Sequence, residues 1–242
     1  MEIKLREKPT GVTIIEGFPG LGLIGTITTE YLIKNLKAKS IGYIRMDDIA
    51  PIAAIHSGTV IQPLEVYYVK KKNLIILHSL FDPSGIEWKV ADALSQFYKE
   101  LKAKEIISIE GIMSGQRNKK VKAYYFSSKS SQAKKLKSSG AEELKEGILM
   151  GITAALLLEN QGMNNSGVFV ETHSKLPDSR ASAKIIEVLD GYLGLGIDSA
   201  PLEKAAADFE KKLKDYMGNL QKTQEQIEER SPEKPRAADY MG

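Results

Sequence analysis

The chain has 242 residues, 42% of them hydrophobic and 27% charged, which suits one large globular domain or a domain with an appendage. Its formal net charge of +3 is too small to argue for a nucleic-acid partner. Cysteine is absent, excluding disulfides and thiolate-held clusters, and His56, His78 and His173 are too scattered for a histidine-rich metal site.

The opening MEIKLREKPT is polar and charged and does not read as a signal peptide. The longest apolar stretch, Ile148–Leu158, falls short of the ~20 residues of a membrane span. The expectation is a soluble, cytoplasmic protein with no membrane segment.

Val12–Glu16 is β-branched and apolar on both faces, as in a buried parallel strand. Leu23, Ile24, Ile27, Tyr31 and Leu32 then recur at helical spacing, and Lys39–Met46 reads as a second strand. Leu64–Val69 and Leu74–His78, joined by the polar link Lys70–Asn73, form a hairpin pattern. A helix opened by Asp82 and Pro83 follows, with Trp88, Ala91, Leu94, Phe97 and Leu101 on one side.

Glu105–Ile112 and Val121–Ser128 read as further strands, EELKEGILMGITAALLLEN as one long apolar helix, and Ser166–His173 as another buried strand. Pro177 and Asp178 cap a last amphipathic helix. Strands alternating with helices predict an α/β class with a mixed, mostly parallel sheet flanked by helices, over residues 1–200.

From Pro201 the pattern changes. Leu202, Ala206, Phe209, Leu213, Tyr216, Leu220, Thr223 and Ile227 are spaced alternately by four and three residues, a heptad seam flanked by charge. It predicts an amphipathic helix over 201–230. One reading lays it on its own domain; the other makes Leu202, Phe209, Leu213, Tyr216, Leu220 and Ile227 contacts between subunits. Residues 231–242, with two prolines and little to bury, read as a mobile tail.

Gly20-Leu-Gly22-Leu-Ile-Gly25 has the G-x-G-x-x-G spacing of a dinucleotide loop, and Asp47 or Asp48 stands near the ~20-residue offset of a ribose-binding acid. Two features oppose that reading. Pro19 removes one backbone N–H from the loop, and the second strand leads to DDIAPIAAIHSG and a hairpin instead of a crossover helix. The glycines therefore read as a structural turn. Gly17, Gly20 and Gly22 would permit positive φ, Gly25 would let the helix approach the strand, and Phe18 and Pro19 complete the bend. No cofactor is expected.

GFPGLGLIG (Gly17–Gly25), followed in order by ISIEGI, EGILMGITAALLLE and THSKLPDSRASAKIIEVL, resembles the proteasome assembly chaperone family in its archaeal members. The resemblance spans roughly residues 10–195. It implies a phosphorylase/hydrolase-like α/β fold without established catalysis. Its partners would be proteasome α-subunits or a homologous chaperone subunit, and its own state a homo-oligomeric small ring of about four or five chains. It also implies docking through a terminal hydrophobic–tyrosine–any tripeptide, whose carboxylate pairs with a lysine while the ring fills apolar space. Here the chain ends Asp239-Tyr240-Met241-Gly242, with Tyr240 one residue, ~3.4 Å, out of that register.

Two further features stay open. Arg117, Lys119, Lys120, Lys122, Lys129, Lys134, Lys135 and Lys137 form a stretch without acids, readable as a solvated face, a patch for an acidic protein, or a nucleic-acid surface. Tyr124, Tyr125 and Phe126 within it are contiguous in a strand, unlike interleaved stacking platforms. Glu110, Glu171 and His173 fall at strand ends, with Ser174 and Asp178 nearby, so a hydrolytic constellation can be drawn. No G-x-S-x-G elbow accompanies it, and the two glutamates serve equally as helix caps. The rival to a non-enzymatic chaperone is thus a small-molecule enzyme with a pocket at the Gly-Phe-Pro-Gly loop.

Overall fold

A computed structural model describes residues 1–56, 58–113, 121–159, 162–172 and 176–204. Its strands are β1 (Glu2–Leu5), β2 (Thr13–Gly17), β3 (Lys39–Arg45), β4 (Ala54–His56), β5 (Thr59–Ile61), β6 (Leu64–Val69), β7 (Leu74–Ser79), β8 (Glu105–Met113), β9 (Ala123–Ser127), β10 (Glu142–Glu143) and β11 (Asn165–Thr172). The helices are α1 (Ile24–Asn35), α2 (Glu87–Glu100), α3 (Ser130–Ser138), α4 (Gly151–Glu159), α5 (Ser179–Leu193) and α6 (Ala200–Lys204). None of the described helices is long and apolar enough to cross a membrane.

Nine strands form one sheet in the order β1-β3-β6-β7-β2-β8-β11-β9-β10, while β4 and β5 pair as a separate ribbon. The four central strands, β7, β2, β8 and β11, are mutually parallel, and antiparallel partners flank them. This is the mixed α/β sheet that the alternation predicts. Successive residues of a strand point to opposite faces, so continuous apolar runs fill two cores. Ile15, Ile76, Ile107 and Val168 pack under α1 and α5, whereas Ile14, Ile75, Leu77 and Ile106 pack under α2 and α4. The β6–β7 hairpin falls where expected.

Local chemistry moves several boundaries. Asp82 closes a turn, its Oδ1 accepting from the Ser84 N–H and hydroxyl, and Gly85 takes φ +86. That left-handed residue delays α2 to Glu87, leaving Trp88 on solvent instead of in the buried stripe. The long helix expected over EELKEGILMGITAALLLEN is also shorter: Glu142–Glu143 pair with β9, and Gly151 at φ +78 stops any helix before it. Only α4 remains, with Ile148 and Met150 exposed ahead of it. The strands β1, β4, β5 and β10 and helix α3 carry no strong periodicity and were not anticipated. In α3 only Leu136 is buried.

Candidate functional site

The parallel strands place the ends of β2, β7, β8 and β11 side by side, the position where α/β sheets carry their sites. The glycine bend fills the centre of that end. After β2 the chain crosses extended Gly20 (φ −160), makes a 3-10 turn over Leu21–Leu23 and enters α1. Within it Gly22 (φ +66) and Leu23 (φ +50) are left-handed. Of the three glycines expected at positive φ, only Gly22 adopts it. Gly20 is extended, and Gly17 has a different task.

Gly17 and Gly25 touch backbone to backbone. A Cβ on Gly17 would sit 2.5 Å from the Gly25 carbonyl oxygen, and one on Gly25 would sit 2.7 Å from that of Phe18. Gly111 on β8 similarly leaves room for the Leu21 carbonyl, 2.5 Å from where its own Cβ would be. The bend is thus held against its neighbours by main-chain packing. Phe18 meets Phe81 edge to face at 5.8 Å.

A clasp ties the bend to α5. The Asp178 N–H donates to the Gly22 carbonyl at 2.9 Å, its Oδ2 accepts from the Thr172 hydroxyl at 2.8 Å, and its Oδ1 accepts from the Ala181 N–H at 2.9 Å. Asp178 is therefore the cap of α5, as its position before the helix predicts. Two motifs more than 150 residues apart in sequence meet here.

On the α2/α4 face lie a buried carboxyl, Glu16, and a half-buried one, Glu110. Glu16 stands in register with Ser108 on β8, and Glu110 follows two residues on. Burial pushes the Glu16 carboxyl up to about 8; the Ser108 hydroxyl opposes the shift and the charge of Glu110 adds to it. Glu16 Oε1 has no hydrogen-bond partner. Burial also raises Glu110, whose Oε1 accepts from the Thr153 hydroxyl at 2.6 Å, with a further bond from the Thr153 backbone easing the shift. Glu110 caps the first turn of α4, while Glu171 accepts from the Tyr124 hydroxyl at 2.8 Å.

On the opposite face, His78 Nδ1 lies 2.9 Å from Thr29 Oγ1, and its Nε2 lies 3.6 Å from Glu30 Oε2. Burial lowers the His78 pKa, opposed first by Glu30 and then by Glu65. The chain Thr29–His78–Glu30 has the order of a nucleophile, base and acid. However, Thr29 is fully buried between α1 and the sheet and bonds back to the Gly25 carbonyl at 2.9 Å, so no substrate reaches it.

Glu16, Thr29 and His78 carry no sequence signal of their own, since Glu16 and His78 sit within apolar strands and Thr29 among the threonines of α1. Of the constellation drawn from the sequence, Glu110, Glu171 and Asp178 occupy this end of the sheet; His173 and Ser174 lie outside the described residues. No group of three or more metal-ligating side chains occurs among the described residues.

The basic stretch divides, with Arg117, Lys119 and Lys120 outside the described residues. Lys134, Lys135 and Lys137 lie on α3, where Lys134, Lys135, Ser138, Ser139, Gly191 and Tyr192 line a shallow groove of about 410 Å³. In β9, Tyr125 is buried and Phe126 exposed. Of the expected subunit contacts, Leu202 is buried against the α1/α5 core of its own chain. Phe209, Leu213, Tyr216, Leu220 and Ile227, and the tail Asp239, Tyr240, Met241 and Gly242, lie outside the described residues.

A nine-stranded mixed sheet with a glycine bend at its centre defines an α/β class shared with solved proteins. Pyrococcus furiosus PbaA, an archaeal homolog of proteasome-assembly chaperone, superposes with a TM-score of 0.82 at 30% identity, over 92% of this chain and 99% of that one. Pyrococcus furiosus PbaB, an archaeal proteasome activator, shares the fold at a TM-score of 0.73 and 24% identity, over 88% and 97% of the two chains. An uncharacterized protein of Methanocaldococcus jannaschii is 32% identical over 206 residues, 84% of either chain. The PAC2 family profile matches residues 14–217, and the chain belongs to that family.

Proposed function

We propose that the protein is a non-enzymatic assembly factor that associates with itself and binds proteasome α-subunits, or a homologous chaperone subunit, in the cytoplasm. The observation carrying this reading is the likeness to PbaA, 30% identical over nearly the whole of both chains. Two features of the site support it. The bend is closed by main-chain contacts that leave no room for even a methyl group at Gly17, Gly25 or Gly111. The carboxyls beside it cap a helix or lie buried, away from any described cavity.

In this reading the Phe209–Ile227 part of the seam holds copies together, and Asp239-Tyr240-Met241-Gly242 enters a pocket of the partner. The tyrosine ring supplies apolar area and the terminal carboxylate a charge-assisted bond. Binding of the full-length protein to proteasome α-subunits from the same cell, followed by interferometry, tests it. Tyr240→Ala should weaken binding about tenfold or more, the loss of roughly 1.4 kcal/mol expected for one buried aromatic anchor. Absence of binding by the wild-type chain would sink the proposal, and an unaltered Kd for Tyr240→Ala would sink the tail's role.

A further inference from the structure

The other end of the sheet, where the parallel strands begin, is basic. Helices α1 and α2 leave through the same four residues, Leu36-Lys37-Ala38-Lys39 and Leu101-Lys102-Ala103-Lys104. Both exits fold alike. Lys37 and Lys102 are left-handed, at φ +50 and +47, and the Ala38 and Ala103 N–H groups donate back to the Ile33 and Tyr98 carbonyls, each at 2.9 Å. In this helix-ending turn glycine usually holds the left-handed position, because a side chain there is strained. A lysine bearing that strain at both exits points to a use for its charge.

The turn between β6 and β7 adds Lys70, Lys71 and Lys72. Hydrogen bonds join these stretches into one surface. Asn73, which ends the turn, donates from its side-chain amide to the Thr10 and Gly11 carbonyls at 3.1 and 3.0 Å. The Gly11 N–H in turn donates to the Leu101 carbonyl at 3.0 Å. Lys39 stands opposite Tyr68, just before the turn, and Lys72 reaches the Gly194 carbonyl at the end of α5. Leu74, Thr13 and Glu105 are in register across β7, β2 and β8, so the lysines ahead of β7 and β8 lie two strand spacings apart, ~10 Å. That is about the Debye length at ~0.1 M salt, so their charges act together.

Lys37, Lys70, Lys71, Lys102 and Lys104 make no ion pair among the described residues. The bordering acids are engaged elsewhere: Glu100 with Lys8 at 2.6 Å, Glu105 with the Ser166 and Tyr192 hydroxyls, and Asp198 with the Ala200 N–H. The C-termini of α1, α2 and α5 lie here and attract cations, but each carries only about half a negative charge. Together they offset roughly 1.5 charges and leave most of the lysines unbalanced. A surface of one sign suits an unlike, acidic partner. The stretches 34–39, 70–73 and 101–104 contain neither arginine, which grips phosphate bidentately, nor an aromatic ring on which a base could stack. Lysines on flexible stems fit carboxylates spaced along a chain.

We propose that this end of the sheet docks an acidic stretch of another protein, held by Lys37, Lys70, Lys71, Lys102 and Lys104. The face lies opposite the glycine bend, and it does not depend on the proteasome reading.

Fluorescence anisotropy of a labelled polyglutamate of about 20 residues, titrated with the full-length protein at ~50 mM salt, tests this. Binding should be seen, and should weaken about tenfold or more by ~300 mM salt. Lys37→Asn, Lys70→Gln, Lys71→Gln and Lys102→Asn together should raise Kd about tenfold or more. Asparagine tolerates the left-handed backbone, so the melting temperature should fall by no more than about a degree or two. Lys89→Gln, Lys122→Gln, Arg180→Gln and Lys184→Gln together remove the same charge at the opposite end and should change Kd less than about twofold. Absence of binding by the wild type, or an equal loss from the two sets, overturns the proposal. So does tighter binding of a single-stranded oligonucleotide of equal length, or of phosphatidylserine vesicles, which would assign the face to nucleic acid or to a membrane.

Discussion

The glycine bend and the exposed apolar side chains ahead of α4 and in the first turn of α2 are built in opposite ways. In the bend, main chain meets main chain at distances that admit only glycine, and Glu110 and Asp178 beside it are spent on helix caps. Around α2 and α4, by contrast, Ile148 and Met150 stand largely open to solvent and Trp88 half so. The first arrangement fixes a fold and the second leaves area to offer. The difference teaches that a phosphate-loop spacing counts only if its N–H groups face free space. Here the space is filled by the sheet's own backbone.

The largest effect that could break this contrast comes from one methyl group. Gly17→Ala and Gly25→Ala each force a Cβ against a carbonyl that cannot yield, because strand, bend and helix are all fixed. Each should cost about 3 kcal/mol or more, read as a fall in the urea midpoint or as loss of soluble protein. Gly20→Ala is the control. Gly20 is extended, and the nearest atom to its added Cβ is 4.0 Å away, so its change should stay within ~0.5 kcal/mol. Equal costs at Gly17 and Gly20 would show that the bend is not closed.

Glu16 gives the next largest effect and sharpens the contrast by pH. Its folded pKa, about 8, lies above the 4.5 of a free glutamate. The native state therefore holds a proton that the unfolded chain releases, and stability falls as pH rises from about 4.5 to about 8. Glu16→Gln keeps the shape without the titration. Its unfolding free energy should match the wild type near pH 4.5 and exceed it by a few kcal/mol at pH 8.5. Parallel pH profiles for the two proteins would mean that the carboxylate is solvated in the native state.

The sequence made much of the sheet legible and little of its end. Continuous apolar runs such as Val12–Glu16 and Ser166–His173 announce buried parallel strands, because such strands must be apolar on both faces. Asp178 was readable as a cap because a carboxylate before an amphipathic run has one common use. Trp88 and Met150 were not readable as exposed. Their exposure depends on Gly85 and Gly151 turning left-handed, which helical spacing alone cannot reveal. Glu16 was hidden for a related reason: within a strand pattern a single acid looks like a strand end, and only its neighbours Ser108 and Glu110 show that it is enclosed. The likeness of four ordered motifs to one family held where periodicity failed, because motif order does not depend on where each helix begins.

The smallest effect concerns the clasp, where the Asp178 N–H holds the bend and its carboxylate holds Thr172 and the first turn of α5. Asp178→Ala removes the α5 cap and leaves the buried Thr172 hydroxyl without its acceptor. Loss of a cap costs ~1 kcal/mol and a stranded hydroxyl about as much again, so the variant should lose ~1–2 kcal/mol by urea unfolding. Adding Thr172→Val to it should restore part of the loss, since no buried hydroxyl is then left unpaired. Asp178→Asn should fall between, because its amide oxygen still accepts from the Ala181 N–H. None of the three should alter the sedimentation of the intact protein, for the clasp is turned inward between the bend and α5. If Asp178→Ala dissociates the assembly while costing under 0.5 kcal/mol in stability, the clasp belongs to a contact surface, and the reading of the bend as closed and inward-facing fails.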